Sequence, residues 1–140
     1  TVTTGTKLNN IIEKKQQEKE KFRIMYQMME SWFRLKLEGK NIEDYFNAYG
    51  YKHIAIYGMG DIGKNLLADL RNSSVKVDYA IDKVVTNTED IRVVSPEEKL
   101  EKVDAIVVTA IAYFDDINDN LSSKTDCPII SLEDIIYEMV

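Results

Sequence analysis

The sequence predicts an α/β fold: an open, doubly wound parallel sheet of five strands in the order 3-2-1-4-5, with an N-terminal helical extension. Three observations lead there. From Tyr51 to the end, short apolar runs alternate with stretches of helical spacing. The runs are continuously apolar, as strands buried on both faces of a parallel sheet must be. A glycine loop, Gly58-Met59-Gly60-Asp61-Ile62-Gly63, stands between the first run and the first of the alternating helices. The extension takes residues 1–50 and the α/β domain residues 51–140.

The extension opens on a long helix. Leu8 to Leu37 contains no Pro or Gly, and Phe22, Met25, Tyr26, Met29, Trp32, Phe33, Leu35 and Leu37 recur mostly in steps of three or four. That spacing places them on one stripe of the helix. Gly39 suits the residue just past its end. Ile42, Tyr45, Phe46 and Tyr49 mark a second, short helix closed by Gly50. A helix of roughly thirty residues is about 45 Å long, whereas a ninety-residue domain is only about 25–30 Å across. Part of it must project, so a homodimer through this helix is expected, with Phe22, Met25 and Met29 in the interface. The Trp32 end lies nearest the domain and is expected to pack within the chain.

In the α/β domain, His53–Tyr57 reads as the first strand and Ile62–Leu70 as the helix that follows. Val75–Ile81 is the second strand, ending at Asp82, and Ile91–Val94 the third. Ser95-Pro96-Glu97-Glu98 has the signature of a helix start, with Ser as N-cap, Pro at the first helical position and Glu98 as the capping-box acid. Ala105–Thr109 is the fourth strand, Phe114–Leu121 a helix and Pro128–Ile130 the fifth strand. Ser131 caps a last helix that runs through Met139.

Acidic residues outnumber basic ones, 24 to 18, which argues against a nucleic-acid partner, since phosphate binding needs clustered cations. No run reaches the roughly 18 apolar residues of a membrane span, and Thr1–Lys21 lacks a signal-peptide core, so the cytoplasm is the expected compartment. Cys127 is the only cysteine and reads as a small, structural apolar side chain. Tyr79 and Lys83 match a YxxxK spacing, and Ser73 and Lys76 an SxxK spacing. Neither pair sits on the helix that such a motif needs.

The glycine loop carries the chemistry. Gly58 permits the tight turn, Gly60 lets a pyrophosphate approach the backbone, and Gly63 lets the helix pack closely on the strand. Asp61 and Ile62 open that helix, whose free amides and partial positive charge attract an anion. Asp82, nineteen residues beyond Gly63, suits the hydroxyls of an adenosine ribose and would repel a 2′-phosphate. The crevice where strand order reverses is bordered by Thr109, at the end of the fourth strand, and by Ala110 after it. NAD is the cofactor these residues favour, with a nucleotide-sugar as the alternative ligand.

The run Ile54-Ala55-Ile56-Tyr57-Gly58-Met59-Gly60-Asp61-Ile62-Gly63-Lys64, with Tyr79-Ala80-Ile81-Asp82 and Asp104-Ala105-Ile106-Val107-Val108-Thr109, resembles small Rossmann-type domains encoded among bacterial surface-polysaccharide genes. It is similar to the N-terminal domain of bacillosamine-type sugar N-acetyltransferases and to the C-terminal domain of sugar C-methyltransferases. The loop also resembles that of adenosylhomocysteine hydrolases, which bind NAD. The resemblance implies a nucleotide-binding accessory module of polysaccharide or sugar-nucleotide metabolism. Two other readings fit the residues: a subunit of an NAD-dependent sugar-nucleotide oxidoreductase or epimerase completed by a partner chain, and a structural oligomerisation module. No general base, metal cluster or nucleophile stands near the loops in the sequence, so the chain alone is expected to turn over no substrate.

Overall fold

Strands that are apolar on both faces must be covered on both faces, and the two-residue period of a strand divides them between two cores. In the computed structural model, which describes residues 2–85 and 90–140, this division is complete. The strands are β1 (His53–Tyr57), β2 (Lys76–Ile81), β3 (Val93–Val94), β4 (Ala105–Val108) and β5 (Ile129–Ser131). All pair in parallel, in the order β3-β2-β1-β4-β5. Ile54, Ile56, Ala80 and Val107 face one core, while Ala55, Tyr57, Tyr79, Ile81, Ile106 and Val108 face the other.

The first core is filled from α1 (Val2–Leu37), α2 (Glu43–Tyr49), α3 (Asp61–Leu70) and α5 (Leu132–Met139). Met28, Trp32 and Leu35 of α1, Phe46 of α2, Leu66 and Leu70 of α3, and Leu132, Ile135 and Ile136 of α5 are the buried apolar residues these helices bring to it. The docked end of the helical extension is thus part of the domain's own core, as expected for the Trp32 end. The second core is thinner, closed by Ile117 and Leu121 of α4 (Phe114–Leu121) and by Val103. No helix of the described residues is long and apolar enough to cross a membrane.

Both glycine stops act as the sequence predicts. Past α1, the Gly39 and Lys40 amides donate to the Lys36 and Leu35 carbonyls; past α2, the Gly50 and Tyr51 amides donate to those of Asn47 and Phe46. Each pair is a Schellman closure. Asp69 of α3 then fixes α1, accepting from Trp32 Nε1 at 3.0 Å and from Lys36 Nζ at 2.7 Å.

Two expectations are corrected. The long helix does not bury one broad stripe. Its domain-facing side comprises Ile24, Met25, Met28, Met29, Trp32 and Leu35, whereas Phe22, Tyr26, Phe33 and Leu37 are exposed. Met25 and Met29 pack on their own domain. The helix expected after Ser95 is also absent. Its capping box forms, with the Ser95 amide donating to Glu98 Oε2 (2.6 Å) and the Glu97 amide to Ser95 Oγ (3.2 Å), but only a turn follows. Residues 95–104 must cross from the β3 edge to β4, about 14 Å across the sheet, and return to its N-terminal end. At about 1.5 Å per residue a helix is too short for that diagonal, while extended chain at about 3.3 Å per residue reaches it.

Candidate functional site

Strand order reverses between β1 and β4, so the chains leaving them diverge and open a crevice at the C-terminal edge of the sheet. Its volume is about 510 Å³. All eight residues singled out in the sequence line it: Gly58, Gly60, Asp61, Ile62, Gly63, Asp82, Thr109 and Ala110.

The glycine loop is held by close backbone contacts. Gly58 adopts φ +100°, in the left-handed half of backbone space, and a Cβ there would lie 2.6 Å from Thr109 Oγ1. Gly63 is tighter still: its Cβ would sit 2.0 Å from the Gly58 carbonyl oxygen. Gly60 differs from both. Its backbone, at φ −71° and ψ −161°, suits any residue, and a Cβ there would meet nothing within 4 Å. Gly60 is also the N-cap of α3 and, having no side chain, leaves the amides of the first turn uncapped from that position.

Asp82 and Thr109 hold this loop in place. Asp82 Oδ2 accepts from the Met59 amide at 2.8 Å, and Oδ1 accepts from the Val84 amide at 3.0 Å. Thr109 is buried, and its hydroxyl lies 2.7 Å from the Gly58 carbonyl and 3.1 Å from that of Tyr57, so its one proton is engaged within the protein. Thr109 therefore buckles β4 to the loop after β1 and has no proton free for a ligand. Asp82→Ala is expected to lower the melting temperature modestly and to weaken an NAD-like ligand by about 1–3 kcal/mol. In titration calorimetry, unchanged affinity in a folded variant would leave Asp82 as a loop brace alone.

Several lining residues were not singled out for this site in the sequence. Met25 reaches the crevice from α1, and Lys21 of the same helix donates to Tyr113 Oη at 3.0 Å with its ammonium 4.5 Å from the ring centre. Tyr113, Asp116, Ile117 and Asn120 form the wall beyond β4. Their three-to-four spacing was the one available signal. Tyr57 also lines the crevice; burial, then the charges of Asp82 and Glu97, raises its pKa, so it stays a neutral phenol. His53 is at the opposite end of β1, with Nδ1 2.9 Å from Asp78 Oδ1.

The model of a protein family described as C2185-like, N-terminal, matches residues 50–128. That span holds β1 to β4 and every residue lining the crevice except Met25. No curated protein and no solved structure matches the chain.

Proposed function

The chain belongs to the C2185-like, N-terminal family, and we propose that it is a nucleotide-binding accessory module that holds an NAD-like dinucleotide, or a nucleotide-sugar in its place, in the crevice between β1 and β4. Gly60 carries this reading. The other two loop glycines are required by protein atoms that a side chain would strike, but Gly60 meets none. A residue bare of side chain, beside the uncapped amides of a helix start, suits a diphosphate that must approach the backbone.

The remaining wall is consistent with that ligand class. Met25, Tyr113 and Ile117 offer apolar surface for a base. Asp61, Asp82 and Asp116 outnumber Lys83, so an additional phosphate is disfavoured and NAD is preferred to NADP. The resemblance of the loop supports a setting beside enzymes of sugar-nucleotide or surface-polysaccharide synthesis.

One observation favours a second reading, a structural module that binds no nucleotide: the loop is braced by the protein's own Asp82 and Thr109. A thermal-shift panel of NAD, NADP, a nucleotide-sugar and coenzyme A separates the two. A ligand bound only by the native state, at a hundred times its dissociation constant, adds about 2.7 kcal/mol, a rise of roughly 10 °C for a chain of this size. NAD is expected to give the largest rise. No rise with any of the four would establish the structural reading.

A further inference from the structure

Residues 5–20 of α1 contribute no side chain to either core. Residues 5–20 are all exposed, whereas from Lys21 onward one side of the helix is seated on the core. The exposed stretch 5–20 is sixteen residues, about 24 Å, and the seated stretch 21–37 is seventeen, so the two are of similar length. Both halves expose apolar side chains on the same side. Leu8, Ile11 and Ile12 are 45–57% exposed, and Phe22, Tyr26, Phe33 and Leu37 are 64–72% exposed. At 3.6 residues per turn, all seven fall within one arc of about 100°, turned about 120° away from the seated side.

We propose that this arc is the interface of a homodimer in which two α1 helices pair antiparallel, the projecting half of each copy covering the exposed stripe on the docked half of the other. Two identical helices paired antiparallel are related by a two-fold axis, so the arrangement closes on itself, and the similar lengths of the two stretches let each cover the other. With that axis beside Phe22 and Arg23, Leu8 falls opposite Leu37 of the second copy and Ile12 opposite Phe33. The charges agree with this register. Lys15 falls opposite Glu30, and Lys19 opposite the ring of Tyr26. A parallel pairing would instead set Lys15 against Lys15 and Lys19 against Lys19.

The surface is large enough. An aromatic side chain buries about 150–250 Å², so three such rings exposed by about two-thirds offer roughly 300–500 Å². The four aliphatic side chains bring the total towards the ~800 Å² per partner of a standard stable interface. The docked domains lie at opposite ends of the pair, on the side of each helix that faces its own core, so neither obstructs the other.

Sedimentation velocity on the full chain at tens of micromolar is expected to find a dimer, and Phe33→Glu a monomer with unchanged helical circular dichroism. Lys15→Glu and Glu30→Lys alone should each raise the dimer dissociation constant about tenfold, because each sets like charges opposite one another at two symmetric positions. The Lys15→Glu/Glu30→Lys double variant should return it to within about threefold of wild type. A monomeric wild type overturns the proposal. A double variant no tighter than the singles overturns the antiparallel register.

Discussion

Gly63→Ala destabilises the chain by about 3 kcal/mol or more, lowering the melting temperature by roughly 10 °C. Two effects of opposite sign compete at this position. Gly63 lies inside α3, where alanine normally improves a helix by about 1 kcal/mol over glycine. Yet the added Cβ would be placed 2.0 Å from the Gly58 carbonyl oxygen and 3.0 Å from its carbon. These are backbone atoms, and they cannot swing aside as the end of a side chain can. Gly58 is itself fixed by the hydrogen bond its amide donates to the Ile81 carbonyl (2.8 Å) and by the one its own carbonyl accepts from the Thr109 hydroxyl (2.7 Å). Relief would separate α3 from β1 and disturb the pairing of β1 with β2. Overpacking therefore outweighs the gain in propensity. Thermal unfolding decides it by sign, since a raised melting temperature would mean that the loop is not closed as described.

Gly60→Val is the complementary case: the chain stays folded and the nucleotide is lost. The extended backbone of Gly60 accepts valine, and the new side chain enters open space, so the melting temperature should move by only a few degrees. That open space is where the diphosphate would meet the first-turn amides of α3. Losing two hydrogen bonds to a charged group, at about 1.5–3 kcal/mol each, reduces affinity at least about 100-fold. The variant should show no thermal shift with NAD under conditions that raise the melting temperature of the wild type. Equal affinity in both proteins would remove the diphosphate from this loop. Together the two glycine variants separate stability from binding, because one glycine is required by the chain itself and the other only by a ligand.

The sequence by itself determined the class, order and pairing of the sheet. Continuous apolar runs such as Ile54-Ala55-Ile56-Tyr57 and Ala105-Ile106-Val107-Val108 can be satisfied only between two covering layers, and the connections between them are too regular for another topology. It also located the crevice, since the glycine loop, Asp82 and Thr109 all follow strand ends that a parallel sheet brings to one edge. Local signals failed where the outcome depends on distance. The capping box at Ser95 is correct chemistry, and it forms, but the span from β3 to β4 is too wide for a helix. The α1 residues were all legible as apolar, yet spacing alone could not divide them. Met25 and Phe22 are three residues apart; one lines the crevice and the other is exposed, and only the angle at which α1 docks on the core separates them. A second role of Asp82 came from tertiary structure in the same way: a carboxylate at a strand end gives no local sign that it will accept from the Met59 amide, which the fold places 2.8 Å from it. Periodicity records which residues must leave water. What each one meets there is fixed by contacts between segments distant in the chain, which a local pattern cannot encode.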